Sequence, residues 1–170
     1  MLPEEVTRFI GKKGPPSVFV VEKEAIRRFA DAVDDPNPLY WDDDYAKESR
    51  HGSILAPPGF ISAPWFSGRP RKWGRKGEGA PDETAGARPA IAKAGFGRIL
   101  DGGIEYEFTK PVKAGDTITS QSTITDITVR EGSTGKMVFM TTETTYTNQD
   151  GEVIATSRGT GIHPEGEPGS

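Results

Sequence analysis

The second half of the chain alternates apolar and polar residues in successive stretches that end at turn-forming residues, and this pattern constrains the fold most. Alternation of this kind is typical of strands with one buried and one solvated face. One of the turns contains Asp150-Gly151, a strong hairpin signal. The sequence therefore predicts an antiparallel sheet of consecutive strands. These strands are expected at residues 104–108, 117–129, 137–148 and 152–162.

The first half has helical rather than alternating patterns, after a short strand predicted at residues 17–21. Residues 22–33 place their apolar side chains on one helical face. A second, short helix is expected to begin near Asp42, whose carboxylate can cap free backbone amides. In residues 55–66, Pro57-Pro58-Gly59 is a stop, and the almost wholly apolar run from Phe60 to Phe66 predicts a buried helix that Pro64 interrupts early. We expect an α+β fold in which a helix packs on an antiparallel sheet.

Composition narrows the class of protein. A chain of 170 residues is typical of one domain, here residues 1–170, with a long Gly-, Pro- and charge-rich loop at 67–90 and a flexible tail at 164–170. The absence of cysteine excludes thiol catalysis and thiolate-bound zinc, and two isolated histidines predict no metal site. A net charge of −4 argues against nucleic acid as a partner. No stretch reaches the length of a membrane span, so we expect a soluble, cytoplasmic protein with no membrane partner.

A short motif, Asp35-Pro36-Asn37-Pro38-Leu39-Tyr40, separates the two helices of the first half. The prolines at 36 and 38 push their predecessors out of the helical region, so the first helix must end before them. Asp35 has two interpretations: a carboxylate for acid–base chemistry, or the first residue of an Asx turn. Tyr40 is either a packing residue or a hydrogen-bonding partner for a substrate or a facing subunit.

Over about residues 17–163, this motif and the order of helices and strands resemble the MaoC-like dehydratase family, which includes the R-specific enoyl-CoA hydratases. That family carries Asp-x-Asn-Pro-[Leu/Ile/Val]-His, and Asp42, Ala46 and Gly102-Gly103 also match it. The resemblance implies a hot-dog fold, an antiparallel sheet wrapped around a central helix. It further implies that an Asp–His dyad adds water to an enoyl thioester, while a backbone amide at the start of the central helix holds the thioester oxygen.

Carried over to this chain, the resemblance assigns two groups of site residues. The positions matching the catalytic motif are Asp35, Asn37 and Tyr40. The positions expected to bind substrate are Gly59, Phe60, Trp65, Gly102 and Gly103. Gly102-Gly103 has a second interpretation, a β-bulge. The basic residues between 69 and 76 either meet the phosphates of coenzyme A or form a solvated loop.

Two departures from the family pattern bear on catalysis. Tyr40 stands where the family has histidine, and a phenol with a pKa near 10 cannot easily replace imidazole at neutral pH. In the ungapped register Pro57-Pro58 replaces the His-Gly of the helix start, and proline has no N–H to donate. The family includes heteromers in which one half carries the dyad and the other shapes the acyl pocket. Ala56-Pro57-Pro58 resembles the half without a dyad.

We therefore expect a subunit of an acyl-CoA hydratase or dehydratase that has little activity alone. It would interconvert 2-enoyl-CoA and 3-hydroxyacyl-CoA beside a dyad-bearing hot-dog subunit. No separate cofactor is expected, because the substrate itself carries coenzyme A. The alternative is a non-catalytic acyl-CoA-binding or assembly protein that forms a homodimer.

Overall fold

A computed structural model describes residues 2–63, 81–133 and 135–166. These residues form a five-stranded sheet in the order β1-β3-β4-β5-β2, and every neighbouring pair is antiparallel. The predicted run of consecutive strands is confirmed for β3, β4 and β5, which pair in sequence order as two hairpins. It is wrong for the strand expected at 104–108, because β2 pairs with β5 at the far edge and not with β3. The strands are β1 Ser17–Val20, β2 Leu100–Phe108, β3 Thr117–Gly132, β4 Gly135–Thr147 and β5 Val153–Pro164.

The helices of the first half agree with the sequence pattern. The predicted helix at 22–33 is α2, which buries Ile26 and Ala30. The predicted cap is also confirmed: an oxygen of Asp42 accepts hydrogen bonds of 3.0 Å from the N–H groups of Asp44 and Tyr45. The helices are α1 Glu4–Thr7, α2 Lys23–Ala32, α3 Pro38–Trp41, α4 Asp43–Glu48 and α5 Ala87–Lys93.

Helix α5 corrects the predicted loop at 67–90, which was wrong for its last four residues. Ala87 and Ile91 lie four residues apart on one helical face, and both are buried with Val6 and Phe9 from the α1 region. The fit is close, because a Cβ added at Gly86 would lie only 2.7 Å from Cζ of Phe9. Tertiary burial stabilises this short helix. The loop up to residue 80 lies outside the described residues.

The buried helix predicted in residues 55–66 is not present in the described part of this run, up to Ala63. Leu55 bridges Lys113, and the Ala56 N–H donates to the Val112 carbonyl at 2.8 Å, so the chain enters extended. A single 3-10 turn, Phe60–Ser62, follows the two prolines. Residues 64–66, including Trp65, lie outside the described residues, as do 167–170 of the predicted tail. Within 164–166, the Gly166 N–H donates to the Gly95 carbonyl at 2.9 Å.

The buried side chains fall into two clusters. One packs α2, α3 and the 3-10 turn against one end of the sheet, with Tyr40, Phe60 and Tyr146 among its members. The other packs α1 and α5 against the opposite end, around Ile91 and Val138. In the parts of the chain that the structure describes, no helix is long and apolar enough to cross a membrane.

Candidate functional site

The loop between α2 and α3 is built from backbone hydrogen bonds at the end of α2. Asp34 adopts a left-handed conformation (φ +53°), and the Asp35 N–H then reaches back to the Ala30 carbonyl at 2.9 Å. The Asp34 N–H bonds the Asp31 carbonyl at 3.1 Å. Together these bonds form the Schellman motif that ends many helices. The turn aims the chain into the Asp35–Tyr40 motif.

Inside this motif, Asp35 forms the Asx turn that was one of its two interpretations. Its Oδ1 accepts the Asn37 N–H at 3.1 Å. Asn37 in turn caps α3, because its own Oδ1 accepts the Leu39 N–H at 3.1 Å ahead of Pro38 at the first helical position. The Trp41 indole N–H closes the loop by donating to the Asp35 carbonyl at 2.9 Å. Asp35 and Asn37 thus both stabilise the local backbone.

Tyr40 lies beside these two residues, so the structure brings Asp35, Asn37 and Tyr40 together. Only 8% of Tyr40 is exposed. Burial raises the pKa of Tyr40, the negative charge of Asp35 raises it further, and a hydrogen-bond contribution from the Asn37 side chain opposes both. The phenol therefore stays protonated at neutral pH. A group in that state is a hydrogen-bond donor and not a base.

Arg27 supports this loop from α2. Its position in the sequence gives little sign of that role. Its guanidinium donates to the Trp41 carbonyl at 3.0 Å, to Asp43 at 3.0 Å and to Glu24 at 2.7 Å. The contacts join α2 to the end of α3 and the start of α4. In sequence, the only signal is an arginine on the polar face of an amphipathic helix, which most often faces water.

The turn at residues 57–63 carries two of the expected substrate-binding residues. Gly59 has a φ of +86°, which favours glycine, and no residue of the described ranges accepts its N–H. Phe60 is fully buried and meets the ring of Phe29 edge-on, with ring centroids 5.7 Å apart. Since Pro58 has no N–H, Gly59 is the first residue after the prolines that can donate one.

Gly102 and Gly103 lie on β2 at a bulge, where the pairing with β5 shifts register between Asp101 and Ile104. Gly103 has a φ of +96° and donates its N–H to the Asp101 carboxylate at 2.8 Å. A Cβ at Gly102 would lie 2.7 Å from the Thr160 carbonyl oxygen. Backbone geometry alone accounts for both glycines, as the bulge interpretation expects.

Trp65 and the basic cluster at 69–76 fall outside the described residues. His51 is half-buried on the loop after α4 and accepts a hydrogen bond from Arg50 at 3.1 Å. Among residues 2–63, 81–133 and 135–166, no three histidine or acidic side chains group as metal ligands would.

An open pocket of about 430 Å³ lies on the solvent side of the motif. Four aspartates line it, so its electrostatic potential opposes the phosphates of a nucleotide. The pocket is lined by Ala30, Asp31, Asp34, Asp35, Pro36, Pro38, Trp41 and Asp42.

An antiparallel sheet with a helical layer on one face, together with the Asp–Pro–Asn–Pro loop, defines a MaoC-like protein of the hot-dog fold. Residues 8–157 match the family model described as "FAS1-like, dehydratase domain region", and the chain belongs to that family. Both the family and the fold expected from the sequence are thereby confirmed.

Known proteins similar to this chain agree with that family. A UPF0336 protein of Thermobifida fusca is 34% identical over 142 residues, which span 84% of this chain and 82% of the relative. A "probable enoyl-CoA hydratase alpha subunit" of Thermomonospora curvata is 29% identical over 78% of this chain and 41% of its own length. The crystal structure of the ChsH1–ChsH2 complex of Mycobacterium tuberculosis contains a chain that matches with a TM-score of 0.73 and 20% identity, covering 92% of this chain and 90% of that one.

Proposed function

We propose that this chain is the subunit without a dyad in a hetero-oligomeric hydratase or dehydratase that interconverts 2-enoyl-CoA and 3-hydroxyacyl-CoA. Its role is to shape the acyl pocket beside a hot-dog subunit that carries the working dyad. The observation that carries this proposal is the state of Tyr40. A buried phenol whose pKa is raised, and which is therefore protonated at neutral pH, occupies the position where the family has its imidazole.

The chemistry explains why this replacement matters. Hydration places a hydroxyl on C3 of the enoyl thioester and a proton on C2, so one group must take a proton from water and another must deliver one. Imidazole can do both near neutral pH. In this loop Tyr40 does not take up the proton of water, and Asp35 has one carboxylate oxygen committed to the Asx turn. The proton transfers therefore belong to the partner subunit.

The turn at 57–63 supports a role in acyl binding. The half-buried ring of Phe29 packs on the buried Phe60 and lies next to Gly59, whose N–H has no acceptor in the described part of the chain. An amide in that state suits a carbonyl oxygen such as that of a thioester. We extend the same role to Trp65, which the family resemblance places in this segment.

Strand β2 supports pairing with a second subunit. It is an edge strand, and on the side away from β5 no strand of the described residues pairs with it. Leu100, Ile104 and Phe108 are 51%, 50% and 40% exposed. An exposed apolar edge invites pairing with another strand. The ChsH1–ChsH2 complex and the T. curvata alpha subunit are both named as parts of larger assemblies, which favours a hot-dog partner here.

The test is to purify the chain alone and together with a co-expressed hot-dog subunit that carries the complete Asp-x-Asn-Pro-x-His motif. Hydration of crotonyl-CoA is followed by the loss of enoyl-thioester absorbance. We expect negligible turnover by the chain alone and robust turnover by the complex. Turnover by the chain alone at the rate of the complex would contradict the proposal.

Assembly is tested with a matched pair of variants. Ile104→Glu places a charge on the β2 edge, whereas Val18→Glu places the same charge on β1, the opposite edge strand, where Val18 is 58% exposed. We expect Ile104→Glu to separate the complex in size-exclusion chromatography and Val18→Glu to leave it intact. A homodimer that binds acyl-CoA without turnover, and that a dyad-bearing subunit does not change, would establish the alternative binding function instead.

A further inference from the structure

Four hydroxyl groups lie on the 3-10 turn and on the neighbouring strands β2, β5 and β4, and they play no part in the motif described above. Ser62 Oγ donates to the Gly59 carbonyl at 2.9 Å and is hydrogen-bonded to the Tyr106 hydroxyl. Tyr106 lies directly opposite Ser157 in the β2–β5 register. Ser157 Oγ lies 3.4 Å from the Tyr146 hydroxyl. We call Ser62, Tyr106, Ser157 and Tyr146 the hydroxyl row.

The row leads from solvent into the core. Ser62 is exposed and Tyr106 is half-buried, whereas Ser157 and Tyr146 are only 5% and 4% exposed. Tyr146 belongs to the same core cluster as Phe60, which the proposed function assigns to the acyl pocket. Burial raises the pKa of Tyr146, the Ser157 bond opposes that rise, and the Tyr106 phenol adds to it.

Counting donors shows that the buried end is incompletely satisfied. Tyr106 donates to Ser62, because the hydrogen of Ser62 is already used at Gly59. The pair Tyr146 and Ser157 has two hydroxyl hydrogens and one mutual bond, so one hydrogen has no acceptor among the described residues. That bond, at 3.4 Å, is longer than the usual O–H···O bond of about 2.5–3.0 Å. A buried hydroxyl left in this state destabilises a fold, which makes it a candidate for binding a ligand.

We propose that the hydroxyl row is a polar subsite for an oxygen function on the acyl group of the thioester ligand. This subsite depends on the proposed function in one respect only, that the ligand is an acyl thioester. A hydroxyl group fits the row because, like the row itself, it both donates and accepts hydrogen bonds. The oxygen comes from one of two places, C3 of the acyl group or the far end of the chain.

The test needs a variant that removes the buried hydroxyls without unfolding the chain. Replacing both members of a buried hydrogen-bonded pair by apolar groups of similar shape is nearly neutral or stabilising. The double variant Tyr146→Phe, Ser157→Ala should therefore unfold at the temperature of the native chain or above it. Its defect should appear only in ligand binding.

The experiment measures dissociation constants by calorimetry for the full chain with octanoyl-CoA, 3-hydroxyoctanoyl-CoA and 8-hydroxyoctanoyl-CoA. We expect one hydroxylated ligand to bind about tenfold tighter than octanoyl-CoA, the size of one buried hydrogen bond. The preferred ligand shows where the oxygen lies. The double variant should lose the preference, and Tyr45→Phe, which removes a phenol from a residue 53% exposed on α4, should keep it.

Three results would overturn the subsite: equal affinities in the native chain, no binding of any of the three ligands, or a preference that survives in the double variant. Hydration of 2-octenoyl-CoA by the complex, measured in parallel, separates this proposal from the proposed function. A preference without turnover would support the subsite and contradict the hydratase. Turnover without a preference would contradict the subsite and support the hydratase.

Discussion

Acidification should destabilise the fold through one buried histidine. His163 lies near the end of β5 and is 4% exposed, and its Nε2 has no hydrogen-bond partner in the described part of the chain. Burial lowers the pKa of His163, and the positive charge of Arg88 lowers it further, while a hydrogen bond with the Arg98 backbone opposes both. The folded protein therefore holds this imidazole neutral.

The sign of the effect follows from linkage. The unfolded chain protonates this histidine near the ordinary pKa of about 6.5, before the folded chain does. Its stabilising contribution is complete above that pH and is lost as the pH falls toward the lower pKa of the folded state. Between these two pKa values only the unfolded state takes up the proton. The free energy of unfolding then changes by at most about 1.4 kcal/mol per pH unit.

Urea denaturation between pH 7.5 and pH 5 measures this slope. His163→Gln should flatten the dependence of the free energy of unfolding on pH below about pH 6.5, where the unfolded chain begins to protonate this histidine. His51→Gln replaces the other histidine, which is half-buried on a loop, and should leave the dependence unchanged. Because the readout is the difference in slope, a general loss of stability in either variant does not affect it. A His163→Gln slope equal to that of the native chain would refute the reasoning.

Three further predictions concern the backbone of the fold and the site. Gly102→Ala should destabilise the chain by about 1–3 kcal/mol, because the added Cβ meets the Thr160 carbonyl at 2.7 Å, whereas Gly159→Ala meets nothing within 4 Å and serves as the control in thermal unfolding. Asp35→Ala should lower the free energy of unfolding by about 1 kcal/mol by removing the Asx turn, and Asp35→Asn, which keeps the acceptor, should not. Tyr40→Phe should change the free energy of unfolding by less than about 1 kcal/mol, measured by chemical denaturation, because it keeps the buried ring and removes only the hydroxyl. Equal effects within either the glycine pair or the aspartate pair would contradict these assignments.

The sequence predicted those parts of the fold whose signals are local. Alternation in β3 to β5 and the Asp150-Gly151 turn depend only on neighbouring residues, and so does the Asp42 cap of α4. The contact between Asp35, Asn37 and Tyr40 was also predictable, since six consecutive residues with two prolines have few conformations. Asp35 had two open interpretations, and the observed Asx turn corresponds to the structural one.

The features that were missed depend on contacts between distant segments. Helix α5 is short and poorly marked in sequence, and it is stabilised by burial of Ile91 against the α1 region. The hydroxyl row joins Ser62 to residues 44 and more positions later, which only the β2–β5 pairing brings together. In the sequence Arg27 is an ordinary surface arginine, and its hydrogen bond to the Trp41 carbonyl forms only because α3 packs beside α2.

One comparison within the reconstituted complex tests directly whether the partner subunit, and not this chain, carries the working dyad. In one complex, this chain carries Asp35→Asn together with Tyr40→Phe; in the other, the partner's motif histidine is changed to alanine. Crotonyl-CoA hydration should stay within about twofold of the native rate in the first complex and fall about 100-fold or more in the second, as expected when a general acid or base is removed. A large loss in the first complex, with assembly intact, would show that Asp35 or Tyr40 takes part in catalysis and would contradict the account.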